Sequence, residues 1–280
     1  MNSASQPSYD AFHFDATASR CVGVDQLTQR TLAFVLAGGR GTRLGGLTGH
    51  RAKPVVPFGN RFRIIDFTLA NCVNSDLRRI AVLTQYKAQS LIRNIQDNRL
   101  LDRRFGEFVE VVPAQQCRDD DWYAGTANAI FQNLDLVERH RPEFVLVLGG
   151  DHADKKDYTK LLAERLAAQA DVSVACVEVP LQEASSFGVV QVDDRSRVIG
   201  WEEKPRSPKP LPGSSDRALA SMCIYVFNTE TPVRALSADA LEPSSAHDFG
   251  HDVVPGHGAQ QPACVPSARR VKDAYSMGKS

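Results

Sequence analysis

Short apolar runs rich in β-branched residues alternate with longer segments of helical periodicity as far as Val177. The runs predict β-strands at residues 31–37, 79–84, 108–112, 144–148 and 171–177. The segments between them predict helices at residues 66–74, 86–97, 126–140 and 158–168. This alternation is typical of βαβ units, so the sequence predicts an α/β fold around a mostly parallel sheet.

The predicted helix at residues 126–140 has the clearest pattern, because apolar residues recur at the i, i+3 and i+4 spacing. They are Ala127, Ile130, Phe131, Leu134 and Val137. Thr126 precedes this run and is predicted to be the N-cap. We therefore expect one continuous helix here.

The pattern changes beyond Val177 to short alternating segments. These predict an antiparallel extension of the sheet, with strands at residues 188–192, 198–201 and 219–227. From Gly256 onward no helix or strand period is present, and residues 256–280 are expected to be a disordered tail. The sequence thus predicts one domain at residues 30–255, preceded by an N-terminal extension at residues 1–29.

Composition narrows the classes of function. Thirty-three basic residues balance thirty-three acidic ones, so no overall charge points to a nucleic acid or a membrane surface. No run approaches the roughly 18 apolar residues of a membrane span, and the polar N-terminus does not resemble a signal peptide. Six scattered cysteines without metal-ligand spacing favour a reducing cytoplasm.

A glycine-rich turn follows the first predicted strand, at the sheet edge where open α/β folds bind ligands. Gly38, Gly39 and Gly41 let the backbone bend tightly, so that its N–H groups can point at anionic oxygens. The pattern is neither a P-loop nor the dinucleotide-binding fingerprint. Taken alone, the turn indicates a phosphate site of unspecified kind.

The charges around this turn are all positive. Seven basic residues and no acidic residue lie between Asp25 and Asp66, namely Arg30, Arg40, Arg43, Arg51, Lys53, Arg61 and Arg63. This cluster favours a site for a triphosphate over a solvated surface face, which is the alternative. A nucleic-acid-binding module is disfavoured, because the cluster is confined to one region and lacks interleaved aromatic residues.

Two further segments supply candidate binding groups. The apolar run that begins at Phe144 ends in Gly149, Gly150 and Asp151, and this aspartate is placed to bind Mg²⁺ beside phosphates or, alternatively, to cap the next helix or turn. In the segment around Glu203 and Lys204, the lysine can neutralise a sugar phosphate and the glutamate can accept hydrogen bonds from sugar hydroxyls. Taken alone, this second segment is a surface charge cluster.

In their order along the chain, these segments resemble the bacterial glucose-1-phosphate adenylyltransferases, the ADP-glucose pyrophosphorylases of glycogen synthesis. The resemblance covers residues 32–255 and rests on LAGGRGTRL at 36–44, RAKP at 51–54, FRIIDF at 62–67, TQY at 84–86, PAQQ at 113–116, WYAGTA at 122–127, GDH at 150–152, SSFGVV at 185–190, EEKP at 202–205, ASMCIYVF at 220–227 and HDFGHD at 247–252. The first motif is shared by sugar-nucleotide pyrophosphorylases of every base, whereas PAQQ and WYAGTA are specific to the adenylyl branch.

The resemblance implies a GT-A-like Rossmann nucleotidyltransferase domain with Mg²⁺ as its cofactor. The implied ATP contacts are Gly38, Gly39, Gly41, Thr42 and Gln115, with Gln115 reading adenine. The implied catalytic residues are Arg43, Lys53 and Asp151, and Asp151 is also the implied metal ligand. The implied glucose 1-phosphate contacts are Tyr123, Gly188, Glu203, Lys204 and Ser221. The reaction implied joins ATP and glucose 1-phosphate to give ADP-glucose and pyrophosphate.

The chain departs from the family pattern after Pro255. Family members continue through a Trp-Arg-Asp-Val-Gly-Thr segment, which carries a second metal-binding aspartate, and then through a left-handed β-helix domain. Neither is found in residues 256–280, whose composition suggests a shifted reading frame or a truncated gene. We therefore expect a catalytic domain that is incomplete at its C-terminal end, and the homotetramer common in the family is doubtful here.

Two alternatives remain open at this point. The chain could be a pyrophosphorylase for another base, using UTP or dTTP. It could also be a catalytically impaired remnant, or a regulatory subunit that still binds nucleotide.

Overall fold

A computed structural model describes residues 24–39, 41, 46–49, 51–59, 62–97, 106–115, 122–254 and 263–266. The strands in this part of the chain are β1 (Thr31–Leu36), β2 (Pro57–Phe58), β3 (Phe62–Arg63), β4 (Arg79–Thr84), β5 (Phe108–Pro113), β6 (Phe144–Gly149), β7 (Val172–Pro180), β8 (Gly188–Val192), β9 (Val198–Glu203), β10 (Arg217–Asn228) and β11 (Ala263–Pro266). The α-helices are α1 (Val24–Gln29), α2 (Ile64–Asn74), α3 (Ala88–Asp97), α4 (Thr126–Phe131), α5 (Leu134–His140), α6 (Tyr158–Ala168) and α7 (Glu230–Asp239).

The main sheet has nine strands and is mixed. Its order is β11-β7-β10-β6-β1-β4-β5, and β8 joins β10 and β9 beside this path. Strands β6, β1, β4 and β5 pair in parallel, whereas β10 runs antiparallel to β6, β7 and β8. The predicted α/β fold with an antiparallel extension is confirmed, and the sheet is mixed, with four parallel and four antiparallel strand pairs among the described residues. Within the described ranges there is no β-helix.

Helices cover both faces of the sheet, and this explains the unbroken apolar sequence of its central strand. Leu32 and Phe34 of β1 pack in a core layer that includes residues of α4, α5 and α7. Ala33 and Val35 point to the opposite layer, which includes residues of α2, α3 and α6. A strand buried on both faces needs apolar side chains at successive positions, so β1 does not alternate with polar residues.

The predicted helix at residues 126–140 is wrong as a single element, because it is divided into α4 and α5. The break lies at Asn133, whose Nδ2 donates to the carbonyl of Ala129 at 2.7 Å and to the hydroxyl of Tyr123 at 3.0 Å. The N-cap is Gly125 and not Thr126. Apolar spacing continues through the break because α4 and α5 pack against the same core layer.

Several elements have no clear signal in the sequence. Helix α7, the hairpin of β2 and β3 and a π-helical turn at Phe249–Val253 were not predicted. Residues 263–266 lie in the segment for which no regular structure is expected, yet they form β11 and pair in parallel with β7. A strand of four residues is too short for an alternation of apolar and polar residues to be recognised in the sequence.

None of the helices in the described part of the chain combines the length and the apolar character that crossing a bilayer requires.

Candidate functional site

The carboxyl ends of the parallel strands meet at one edge of the sheet. Leu36 at the end of β1 is in register with Leu83 of β4 and Gly149 of β6. The main chain remains paired just beyond these ends, since the amide of Gly150 donates to the carbonyl of Leu36 at 2.9 Å. The loops that follow β1, β4, β5 and β6 therefore lie side by side. They contain Gly38, Gly39, Gln85, Gln115 and Asp151.

Within the glycine-rich turn, Gly41 is the position at which the structure requires glycine. Its φ is +65°, and a Cβ there would lie 2.8 Å from Cγ2 of Thr48 and 2.9 Å from Cβ of Lys53. The hydroxyl of Thr48 donates to the carbonyl of Gly41 at 3.1 Å. The close approach of residue 41 to Lys53 brings that lysine to the turn. Thr42 and Arg43, predicted to contact ATP and to act in catalysis, lie outside the described residues.

Lys53 connects the turn to the end of β6. It begins a 3₁₀ turn at Lys53–Val55, and its Nζ forms an ion pair with Oδ2 of Asp151. The two side chains are 27% and 37% exposed, so both border solvent. The structure thus brings together two predicted catalytic residues that are 98 positions apart in the sequence.

The surroundings of Asp151 keep its carboxyl ionised. Burial raises the pKa of this carboxyl, but the hydrogen bond from Lys53 and the charges of His152 and Lys53 lower it further than burial raises it. The net result is a pKa below the ordinary value for aspartate. At neutral pH the group is therefore an anion that can bind a cation.

Asp151 also suits Mg²⁺ by its chemistry. Within the part of the chain that is described, no group of three or more His, Cys, Asp or Glu residues could enclose a metal ion. Magnesium needs only one or two carboxylates when phosphate oxygens and waters supply the other ligands. The residues present fit an ion that is shared with a bound triphosphate, and Lys53 competes with it for the same carboxylate.

A second group of predicted residues surrounds the end of β9. Nζ of Lys204 lies 2.5 Å from Oε1 of Glu203, and this hydrogen bond is the main cause that raises the pKa of Lys204 above its ordinary value. Gly188 of β8 faces Glu203, and a Cβ at residue 188 would lie 2.8 Å from Oε2 of Glu203 and 3.1 Å from the ring of Trp201. Glycine at this position keeps space open beside the carboxylate.

The two groups meet at an irregularity in β10. The strand pairs with β6 through Ile224 and beyond, and with β8 through Leu219 and Ala220. Between these stretches its pairing to β7 is interrupted, and Cys223 has a left-handed φ of +52°. The predicted Ser221 lies there, with its hydroxyl accepting from the amide of Cys223 at 3.2 Å.

Cys223 is a site residue that the sequence analysis missed. It borders solvent, yet desolvation by the surrounding protein and then the charges of Asp248, Glu203 and Asp151 raise its pKa to about 11. Strand β10 pairs with β6, which Asp151 follows, and with β8, whose partner strand β9 ends at Glu203, so Cys223 lies on the strand between the two groups. The sequence analysis treated Cys223 only as one of six scattered cysteines.

The aromatic turn before α4 is held by a segment from much later in the chain. The hydroxyl of the predicted Tyr123 accepts from Nδ2 of Asn133, and the amide of Ala127 donates to the carbonyl of His247 at 2.8 Å. The hydroxyl of Thr126 donates to Oδ2 of Asp248 at 3.1 Å. The structure thus joins this turn to residues 247–252, a motif to which the sequence analysis assigned no role.

Comparisons with known proteins find one matching family and several similar sequences. A family described as "Nucleotidyl transferase" matches residues 32–267. A "Glucose-1-phosphate adenylyltransferase" of Nitrosomonas europaea is 57% identical over 234 residues, which cover 83% of this chain and 54% of that protein. One from Paramagnetospirillum magneticum is 54% identical over 84% of this chain and 55% of its own length. A "Glucose-1-phosphate adenylyltransferase 2" of Alkalilimnicola ehrlichii is 56% identical, with coverages of 83% and 55%. The chain spans about half the length of these curated relatives.

Proposed function

The chain belongs to the nucleotidyl transferase family, and from this premise we propose that it transfers the adenylyl group of ATP to glucose 1-phosphate. The products are ADP-glucose and pyrophosphate, and the proposed role is the synthesis of glycogen or a related α-glucan. The observation that carries the proposal is that β10 runs between the Lys53–Asp151 pair and the Glu203–Lys204 pair. Its support from known proteins is the 54–57% identity to relatives named for this reaction.

The triphosphate is proposed to lie on the glycine-rich turn. Backbone N–H groups of Gly38, Gly39 and Gly41 suit phosphate oxygens, and Thr42 and Arg43 of the same turn are proposed to add contacts. The stem of the Lys53 side chain lies beside Gly41 and its ammonium pairs with Asp151, so this charge can act on phosphates held between the two. Gln115, which follows the edge strand β5, is proposed to read adenine.

Asp151 is the residue that would hold Mg²⁺. A bound magnesium ion would supply positive charge to the phosphate oxygens and help pyrophosphate to leave. In this structure Lys53 pairs with that carboxylate, so the group that would hold the ion and the ammonium that would neutralise the triphosphate are kept in one place.

Glucose 1-phosphate is proposed to bind around the end of β9. The ammonium of Lys204 neutralises its phosphate, and Glu203 accepts hydrogen bonds from its hydroxyls. Gly188 leaves the space for the sugar, while Tyr123 and Ser221 complete the proposed pocket.

The proposed chemistry needs no general base. The second pKa of a sugar phosphate is near 6, as it is for phosphorylated side chains, so the attacking oxygen is already ionised at neutral pH. The oxygen attacks the α-phosphorus of ATP in line with the departing pyrophosphate. The protein's task is to bring two polyanions together, which explains why the proposed groups are cations and backbone donors.

A pyrophosphate-release assay on the purified chain tests the proposal. We expect release with ATP and glucose 1-phosphate, and far less when UTP or dTTP replaces ATP. Faster release with UTP or dTTP would assign the chain to another base. Calorimetry that detects ATP binding without any pyrophosphate release would instead support a catalytically impaired, nucleotide-binding protein.

We further propose a cytoplasmic location for the chain. The described cysteines Cys72, Cys176 and Cys223 carry free thiols, which a reducing compartment preserves.

A further inference from the structure

A buried carboxylate lies behind the proposed sugar pocket without reaching it. Asp239 ends helix α7 and is 2% exposed. The C-terminal end of a helix carries partial negative charge, so an anion is unfavourable there unless nearby donors compensate. Two such donors are present: the hydroxyl of Ser245 at 2.6 Å and Nδ1 of His247 at 2.8 Å, when that nitrogen carries the proton.

His247 links this buried contact to the position of the main chain at residue 247. Its φ is +54°, in the left-handed region, and its amide donates to the hydroxyl of Ser245 at 2.9 Å. Its carbonyl accepts from the amide of Ala127 at 2.8 Å. A Cβ on Gly125 would lie only 2.2 Å from this oxygen, so the approach is close.

The residues after His247 extend the contact to both sides of the proposed sugar pocket. Asp248 accepts from the hydroxyl of Thr126, and the amide of Phe249 donates to the same hydroxyl at 2.9 Å. Gly250 then packs against Trp201 and the hydroxyl of Tyr225, at distances of 3.2 and 3.3 Å from a Cβ built there. One short segment thus touches the aromatic turn, β9 and β10.

We propose that Asp239 and His247 are a positioning pair for the sugar phosphate: they hold residues 247–250 so that the turn with Tyr123 and the strand end with Lys204 keep their relative places. The inference rests on the proposed function for the identity of the ligand. Neither residue contacts the glycine-rich turn or Lys53 in the contacts described above. Loss of the pair should therefore weaken binding of glucose 1-phosphate and leave ATP binding unchanged.

The test compares Asp239→Asn and His247→Gln with the exposed control Asp194→Asn. Hydrogen bonds to charged groups are worth enough that losing one weakens binding by about tenfold to a hundredfold. We expect the KM for glucose 1-phosphate to rise by about tenfold in either variant, while the KM for ATP stays within about twofold. The double variant should lose little more than either single one, since the two residues act as a unit.

Amide hydrogen exchange gives a second readout that needs no turnover. In both variants we expect faster exchange at Ala127, which donates to His247, and unchanged exchange at Gly150, which donates to Leu36. If Asp239→Asn does not fold, His247→Gln still tests the inference. If the wild-type chain released no pyrophosphate, the proposed function would fail, yet faster exchange at Ala127 alone would still support the pair.

Three results would overturn the inference. One is unchanged exchange at Ala127 in both variants. The second is an equal rise in the KM values for both substrates, which indicates a general loss of structure. The third is a double variant in which the change in the logarithm of KM for glucose 1-phosphate equals the sum of the two single changes. Such additivity would show that the residues act independently.

Discussion

At the residue scale, the proposed nucleotide side of the site depends on two side chains that play opposite electrostatic roles. Lys53 packs beside Gly41 and pairs with Asp151, so the cation and the anion are held at one place before any ligand arrives. The same pairing contributes to the lowered pKa of Asp151. A site prepared in this way avoids much of the reorganisation that charges in water require.

Replacing Asp151 by Asn should remove the proposed magnesium ligand with little change in shape. We expect turnover to fall by about 10²–10³ or more, because electrostatic groups at a reacting phosphate contribute on that order. The measurement is the steady-state rate of pyrophosphate release, with Asp194→Asn as a control on the exposed turn between β8 and β9. Near-normal turnover of Asp151→Asn would remove this residue from the mechanism.

Lys204→Ala tests the sugar side independently. We expect the KM for glucose 1-phosphate to rise by about tenfold to a hundredfold, since a charge-assisted hydrogen bond is lost. Lys209→Ala is the matched control, because Lys209 is similarly exposed and also pairs with a glutamate, Glu202, at 3.2 Å. A change confined to the KM for ATP would contradict the assignment of Lys204.

At the scale of elements, the close contact between the start of α4 and residues 246–249 joins two parts of the chain that are far apart in sequence. Gly125 makes this contact possible, because its missing side chain leaves room for the carbonyls of Ala246 and His247. The contact is made through backbone atoms, which have little freedom to shift. The N-cap of α4 is therefore a glycine because of this close contact, and not because of helix propensity.

Gly125→Ala should push the start of α4 away from residues 246–249. The new Cβ would lie 2.2 Å from the carbonyl oxygen of His247, so we expect a loss of about 1–3 kcal/mol in the free energy of unfolding, as overpacking typically costs. Urea unfolding measures the change. The control is Gly46→Ala, whose Cβ would meet nothing within 4 Å and should alter stability by about 0.5 kcal/mol or less. Equal stability of the two variants would contradict the packing described.

At the scale of the whole molecule, the sheet separates two core layers that each contain a fully buried thiol. Cys72 lies in the layer of α2, α3 and α6, and Cys176 lies in the opposite layer. Burial raises the pKa of the Cys72 thiol well above its ordinary value, so the native protein holds almost no reactive thiolate there. The two cysteines therefore report on the opening of the two layers.

Thiol alkylation in increasing urea should modify Cys72 and Cys176 together, at the global unfolding transition. We expect this because both layers share the strands of one sheet. Cys223 should react slowly in the native state, because the thiolate is the reactive form. Its rate of alkylation should rise by about tenfold for each unit by which the pH is raised, as long as the pH stays below the pKa of about 11. Peptide mapping by mass spectrometry resolves the three sites. Modification of one buried thiol at clearly lower urea would show that its layer opens separately.

Much of the fold and part of the site follow from local features of the sequence. The apolar runs predicted β1, β4 and β6 to within a residue, and the parallel arrangement then put Gly38 and Asp151 at one edge. The roles of the predicted ligand-binding residues remain predictions. These successes share a cause: burial on both faces of a sheet leaves a continuous apolar pattern that can be read within one short segment.

What the sequence by itself determined is thus the class of fold and the positions of its central strands, while the phosphate role of the glycine-rich turn remains a prediction. Only the tertiary structure decided that Lys53 meets Asp151, that a helix breaks at Asn133, which bonds to Tyr123, and that Asp239 pairs with His247. The physical reason is that periodicity records only which face of an element is buried. It cannot show that Lys53 and Asp151, 98 positions apart, meet when the sheet has assembled, nor which polar side chains bond across a turn, as Asn133 and Asp239 do over ten and eight positions.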